Sequence, residues 1–485
     1  MTETLANVIF SGNSRESLIE LKSKLKAGGV KLDEEDIYYL ISLLSLPDPK
    51  SRKNVAQILG VIKSDKAVEP LYAALEKEET EFVKSAYLLA LKDINIDQIR
   101  NKLAALRRTL AAKNVTDENR KHFDEQMTAY NQLLGSQVTK HTFSGAEVTS
   151  EVILTTPKGL AQVTADAMVT SSKKVLSIGV CARISSLDEI KDIRTYKELL
   201  FLVPNIKKIP MDPFRAAEAV GMGDLKAFLC ARHKEKGAWG YRINILSPME
   251  EKKKSNFIKR FTGELERISK GYFVNQASDY ELELRLLENK EGSFTTMVKL
   301  STIKDKRFDY RKEFVASSIR PEVAANIVYL SANYLKSNIQ VLDPFCGVGT
   351  MLMERYKYRK ASPMYGVDSF GEAIEKAKKN AAKAEIEAYF VNRDYFDFKH
   401  DYQFDEIITN MPFSHKPEDE QKINDIYRRF FDYSRKLLKR GAAVIIYTRN
   451  VDLARTYSKK YGYIEQKEVQ ISEKENSYLC IYWKR

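Results

Sequence analysis

A chain of 485 residues has room for about three domains of ordinary size, and 44% hydrophobic with 30% charged residues is the balance of a soluble globular protein. The sequence opens on no basic-then-apolar export segment, its apolar runs (AYLLAL at 86–91, AAVIIY at 442–447) fall far short of the roughly 20 residues that cross a bilayer, and its four cysteines form no CxxC pair. These features argue against a membrane span, a zinc module and a disulfide scaffold and fit a reducing cytoplasm, while a net charge of +13 favours a polyanion partner, although a generally basic background gives the same sum.

Residues 1–110 read as helices only. The stretches SRKNVAQILGVI from Ser51 and VKSAYLLALKDI from Val83 align with an offset of 32 residues, within the range of helical-pair repeats. Between them, SDKAVEPLYAAL has a helical apolar period, opened by Asp65 and interrupted by Pro70. These residues resemble HEAT-type repeats, and they stand equally for a concave partner-binding surface or for an accessory helical cap. Residues 111–147 form a polar helical connector with a break at Gly135-Ser136. From Val148 the texture changes to short strands and helices. VILTTP predicts a strand, LAQVTADAMV a helix, VLSIGVCARIS a strand, SLDEIKDI a helix and ELLFLVP a strand. A helix over FRAAEAVGMGDLKAFLCARHK, a strand over GYRINILS, a long basic helix over EEKKKSNFIKRFTGELERISK and a strand pair, YELELRLLE and SFTTMVKLS, follow. This mixture predicts an α+β middle region over 148–312.

From 313 to 485 apolar strands alternate with helices: IQVLD, MYGVD, EAYFVNRD, FDEIITN, AAVIIYT and a closing SYLCIYW, with helices between. The pattern predicts a doubly wound α/β sheet covered on both faces. Its first strand runs into DPFCGVGTML, a strand–glycine loop–helix unit of the kind that holds nucleotide-like ligands. A kinase-type phosphate loop needs Gly-Lys-Ser/Thr, which is absent. A dinucleotide fingerprint needs a third glycine where Leu352 stands. S-adenosylmethionine, which has no pyrophosphate, needs backbone approach at Gly347 and Gly349 but no phosphate cradle. Asp343, Asp368 and Asp394 end three successive strands, where carboxylates can meet the amino-acid portion, the ribose hydroxyls and the adenine amine. Phe345 completes this candidate cofactor set.

The fourth strand ends in Asn410-Met411-Pro412-Phe413. An exocyclic base amine is a poor nucleophile because its lone pair is delocalised into the ring. The Asn410 side-chain oxygen and the Met411 carbonyl can hold its N–H bonds, Pro412 stiffens the turn, and Phe413 offers a stacking face worth ~1–3 kcal/mol. An isolated Asn-x-Pro-Phe is an ordinary turn; at the end of the fourth strand of a cofactor sheet it points to amine methylation.

DPFCGVGT with NMPF resembles the amino-directed nucleic-acid methyltransferases. TTPKGL (residues 155–160) and the run from YELELRLLE to RPEVAANIVYLS are similar to THUMP-containing guanine-N2 RNA methyltransferases, chiefly the tRNA enzymes, over residues 148–485. The resemblance implies a ferredoxin-like and THUMP region at 148–312 and a Rossmann-fold methyltransferase domain at 313–485. It further implies methyl transfer from S-adenosylmethionine to the N2 amine of a guanosine in structured RNA, tRNA foremost, on a flipped-out nucleotide. Transfer to rRNA guanine, transfer to an adenine amine, and a scaffold that only binds RNA or protein remain the alternatives. Two positions depart from the pattern: Met411 replaces a proline, and Ser414 stands where glycine is common. Candidate RNA contacts are Lys252, Lys253, Lys254, Lys259 and Arg260, and then Lys304, Lys306, Arg307 and Arg311, each group interleaved with aromatics; a solvated helix face or linker is the competing reading. The N-terminal repeats could carry a protein partner, and no metal is implied.

Overall fold

The computed structural model describes residues 15–28, 32–111, 120–134, 138–414 and 416–485. The expected break at Gly135-Ser136 lies outside them. By contacts the chain divides into two compact units, one of residues up to 144 with 203–302, the other of 145–202 with 303–485. Residues 145–202, which the sequence pattern groups with the middle region, thus pack with the C-terminal sheet.

In the first unit, seven helices among the described residues run from Arg15–Lys26 to Arg120–Leu134. The two aligned stretches lie in helices Pro49–Ile62 and Glu81–Ala90, which pack side by side. Asp48 caps the first of these through the Ser51 N–H at 2.8 Å, with Pro49 at its first position. Arg52 makes two 2.8 Å bonds to Glu78, whose carboxylate also accepts from the Thr80 N–H. Burial opposes that charge, but these donors bring the Glu78 pKa down to about 2.

The middle region supplies strands to both units. Strands β1 (Ser150–Thr155), β2 (Lys173–Leu176), β3 (Gly179–Ile184) and β4 (Glu198–Leu202) form the antiparallel order β2-β3-β1-β4 in the second unit. Strands β5 (Lys208–Pro210), β6 (Trp239–Leu246), β7 (Phe273–Asn275), β8 (Leu282–Glu288) and β9 (Ser293–Leu300) belong to the first, in the order β5-β9-β8-β6-β7. Three expectations are corrected here. VLSIGVCARIS is a hairpin rather than one strand, turning between Leu176 and Gly179. SLDEIKDI shrinks to the single turn Leu187–Glu189, because the Glu189 carboxylate folds back onto the Ser185 and Ser186 N–H groups in a capping box and no apolar stripe carries the helix on. The long helix expected from Phe214 is two helices, Pro213–Met222 and Leu225–Cys230, parted at Gly223.

Strands β10 (Val341–Asp343), β11 (Met364–Asp368), β12 (Tyr389–Asn392), β13 (Phe404–Asn410), β14 (Leu438–Thr448), β15 (Tyr463–Ser472) and β16 (Ser477–Lys484) form a sheet in the order β12-β11-β10-β13-β14-β16-β15. The first five are parallel, and the β15–β16 hairpin joins β14 antiparallel. Alternate residues serve two cores. Val341, Ile408, Ile445 and Ile481 meet helices Pro321–Leu330 and Thr350–Tyr358, whereas Leu342, Ile407, Val444, Ile446 and Tyr482 meet helix Glu420–Leu437. Leu160 and Val163 join the first of these cores. Strand β15 was not legible in advance, since YIEQKEVQIS offers little apolar alternation and is largely half-exposed at the sheet edge. No described helix is long and apolar enough to cross a membrane.

Helix Thr350–Tyr358 is fixed to the sheet by a buried ion pair. Arg355 and Glu406, both 0% exposed at the side chain, share bonds of 2.7 and 2.9 Å, and the guanidinium also donates to the Lys336 and Arg359 carbonyls. Arg355→Ala leaves the Glu406 carboxylate buried and unpaired, and chemical denaturation should show a loss of about 3–5 kcal/mol. Replacing both partners together, Arg355→Met with Glu406→Leu, should recover most of it.

Candidate functional site

The sheet reverses direction of growth between β10 and β13: the chain proceeds outward through β11 and β12, then returns to the other side of β10 as β13. The loops leaving β10 and β13 therefore part from one another at the carboxyl edge, and the crevice between them is where such sheets bind ligands. A cavity of ≈ 690 Å³ occupies it. Nine of the ten candidate residues line that cavity: Asp343, Phe345, Gly347, Asp368, Asp394, Asn410, Met411, Pro412 and Phe413.

Asp343 is 1% exposed and accepts from the Thr409 hydroxyl at 2.6 Å and from the Phe345 N–H at 3.2 Å. Burial raises its pKa to about 7, against the lowering effect of those two donors, and nearby Asp368 adds to the rise. Asp368 ends β11 and receives the Gly347 N–H at 2.9 Å on one oxygen and the Phe370 N–H at 2.9 Å on the other. Asp394 is exposed and caps the turn Tyr395–Asp397 through the Phe396 N–H at 2.9 Å. At the end of β13 the Met411 N–H donates to the Tyr447 carbonyl at 2.9 Å, and Met411 is buried.

The two glycines differ. Gly347 has φ +52° and open space where a Cβ would point, so its backbone faces the cavity bare. Gly349, the tenth candidate, is not on the cavity wall. At φ +80° it opens helix Thr350–Tyr358, and a Cβ there would lie 2.9 Å from Met353 Cε and 3.1 Å from the Phe390 ring. Its role is to turn the chain and let that ring pack close. A Gly347 backbone bare of any side chain, beside the Asp368 and Asp394 carboxylates, offers close approach and acceptors that fit the hydroxyls and amine of S-adenosylmethionine.

Several wall residues went unread in the sequence. Val315, Ser318 and Ile319 come from the segment before the first helix of the sheet, and Ile423, Ile426 and Arg429 from helix Glu420–Leu437. Arg429 sits 3.9 Å over the Phe396 ring. Thr409, behind the wall, is brought to Asp343 by the β10–β13 pairing; the wall residues from these other segments carry no local sequence signal.

The basic candidates divide. Lys252, Lys253, Lys259 and Arg260 are exposed on helix Glu251–Ile268, with Lys254 half-buried and bonded to Glu251 at 2.8 Å. Lys304 and Lys306 are exposed. Arg307 is corrected: it is 8% exposed, pairs with Asp305 at 2.7 Å and donates to the Ile193 and Tyr196 carbonyls at 3.0 and 2.9 Å, so its guanidinium is consumed inside the unit. Arg311 is likewise turned inward, to the Thr350 hydroxyl at 3.3 Å and the Ile319 carbonyl at 3.1 Å.

The C-terminal sheet has a methyltransferase-like α/β fold. Residues 309–476 match the family described as RMKL-like, methyltransferase domain, and that region is an S-adenosylmethionine-dependent methyltransferase domain. A 136-residue stretch is 29% identical to the tRNA (guanine(10)-N2)-dimethyltransferase of Methanothermobacter thermautotrophicus, covering 28% of this chain. The chain thus spans 39% of that relative's length. Among solved structures, the fold resembles TrmN from Thermus thermophilus at a TM-score of 0.52 and 17% identity, over 70% of this chain and 100% of that one. It also resembles SMU.472, a putative methyltransferase complexed with SAH, at a TM-score of 0.52 and 15% identity, over 70% and 99% of the two chains.

The raised Asp343 pKa has a consequence for stability. The folded state holds this proton up to about pH 7, the unfolded chain only up to about 4. Its contribution is therefore full below the unfolded value and lost as pH rises through about 7. Unfolding measured from pH 4 to 8 should show ligand-free wild type losing stability relative to Asp343→Asn over that interval, with the difference levelling off above it.

Proposed function

We propose that the protein transfers a methyl group from S-adenosylmethionine to the exocyclic N2 amine of a guanosine in structured RNA, with tRNA as the substrate. The observation that carries this reading is the shared cavity: the strand-end carboxylates and Gly347 line one part of it, and Asn410, Met411, Pro412 and Phe413 line the same space. The relative named as a tRNA guanine-N2 dimethyltransferase supports the choice of base and RNA.

Bound S-adenosylmethionine supplies a methyl group on a sulfonium, electrophilic enough that no strong base is needed to start the transfer. Asp368 would hold the ribose hydroxyls, Asp394 the adenine amine, and Asp343, through water or directly, the amino-acid portion. The chain's task at the acceptor is positioning. The Asn410 side-chain oxygen and the Met411 carbonyl accept the two N–H bonds of the amine, which turns its lone pair out of conjugation and toward the donor. The Phe413 ring stacks on the extruded base, and Pro412 limits the motion of the corner. Once the new N–C bond forms, the surplus amine proton is already directed at an acceptor and passes from there to solvent. The exposed cations Lys252, Lys253, Lys259, Arg260, Lys304 and Lys306 serve in this reading as phosphate contacts.

Incubation with total RNA and S-adenosylmethionine carrying a tritiated methyl group, followed by nucleoside mass spectrometry, should place label on N2-methylated guanosine; label on N6-methyladenosine would instead assign the adenine alternative. Asn410→Ala should lower transfer at least a hundredfold while cofactor affinity by calorimetry stays within about threefold, because the lost group acts on the acceptor alone. Asp368→Ala should weaken cofactor binding by about tenfold or more, the cost of a hydrogen bond to a charged group.

A further inference from the structure

Phe413 and Ser414 belong to two spaces at once. Beyond the cavity already described they also line a second cleft of ≈ 470 Å³, whose other walls include Arg449, Lys474 and Glu475. Arg449 directly follows β14, and Lys474 and Glu475 sit in the turn that joins β15 to β16. The Arg449 guanidinium lies 4.0 Å from the centre of the Phe413 ring, and its Nη2 donates to a Glu475 oxygen at 2.9 Å. The Glu475 N–H is itself tied to the Ser472 hydroxyl at 3.2 Å, so the carboxylate that aims the guanidinium is held by its own turn. A planar cation is thereby locked against the ring on which the acceptor base is proposed to stack.

The surroundings are cationic. Lys474 is exposed, Arg320 reaches Glu475 at 4.0 Å and Glu322 at 3.6 Å, and Lys197 has its pKa lowered by burial and then by Arg320. Lys158, Lys197, Arg320, Arg449 and Lys474 thus stand with four carboxylates, Glu198, Glu322, Glu473 and Glu475, of which Glu473 is taken by Lys158 at 2.6 Å. A nucleotide whose base enters the first cavity past Phe413 must leave its own backbone outside, and the neighbouring cleft, which shares Phe413 and Ser414, offers room beside Arg449 and Lys474.

We propose that this second cleft is the subsite for the sugar–phosphate of the RNA strand flanking the target nucleotide. In it Arg449 is a positioning residue: it fixes the Phe413 ring from the face away from the base, and together with Lys474 it receives a backbone phosphate. The proposal rests on the functional reading above for the presence of RNA and adds the place where the strand runs. Arginine suits both tasks because its guanidinium is flat, permanently charged and weakly hydrated, which lysine cannot reproduce against a ring.

The test uses the full-length protein with fluorescein-labelled unfractionated tRNA, following anisotropy across a series of salt concentrations. Cofactor calorimetry and thermal melting accompany it. Arg449→Ala should melt within a few degrees of wild type and bind cofactor within about twofold. It should also bind tRNA more weakly, with a log K against log salt slope shallower by about one unit. Arg449→Lys should recover that slope but not kcat for methyl transfer, because it returns the charge without the flat stack. Glu475→Gln, which releases the guanidinium from its anchor, should keep the slope and lower kcat. An Arg449→Ala protein with the wild-type slope overturns the subsite, and an Arg449→Lys protein with wild-type kcat overturns the positioning role. Wild type that binds tRNA but methylates no RNA overturns the functional reading instead, and the slopes then still decide the subsite.

Discussion

The hydrogen bond from the Thr409 hydroxyl to Asp343 is the contact on which the site's geometry depends. It ties the last residue of β10 to the penultimate residue of β13, at the point where the two loops diverge. Parallel pairing of Leu342 with Ile407 sets the register, and the 2.6 Å bond closes its end. Because the carboxylate is buried, it has little freedom to seek other partners, and the glycine loop and the Asn410 corner must begin side by side. Two surfaces from segments over sixty residues apart in sequence become walls of one cavity for that reason.

Behind the crevice, buried charge holds the helix that starts at the glycine loop. Arg355 reaches Glu406 on β13, and the residue before it, Glu354, receives Arg194 at 2.6 and 2.7 Å and the Tyr310 hydroxyl at 2.6 Å. One side of the helix thus grips β13, and another grips the segment between β3 and β4. An ion pair in such a place adds little net stability over a well-packed apolar pair, but a misplaced one costs several kcal/mol. This selects a single position for the helix and hence for the loop that leads into it. Residues 145–202 accordingly belong to the methyltransferase unit by packing, through Arg194 and through Leu160 and Val163 in its core.

The elements around the cavity were legible where a local pattern carries them. FDEIITN reads as a strand and is one from Phe404 to Asn410; DPFCGVGT reads as a strand, a loop and a helix start and is all three. Carboxylates at strand ends could be found because the end of an apolar run marks the sheet edge. Illegible were features set by partners distant in sequence. Arg307, between lysines and aromatics, looks like an RNA contact until the Ile193 and Tyr196 carbonyls take its donors. Strand β15 is an edge whose pairing with β16, rather than its own alternation, makes it a strand. Gly349 shares a motif with Gly347, yet packing against Phe390 separates their roles.

The sequence by itself determined the kind of domain, the residue types at each strand end and the Asn410–Phe413 corner, because glycine conformations, strand periodicity and the donor–acceptor character of Asp, Asn and Phe are local properties. Only the tertiary structure decided that these residues meet in one cavity, that Asp343 is buried enough to hold a proton near neutrality, which arginines are spent internally, and that Arg449 stands over Phe413. Those outcomes follow from strand order and burial, which set distances and dielectric between residues far apart along the chain, and no window of sequence contains them.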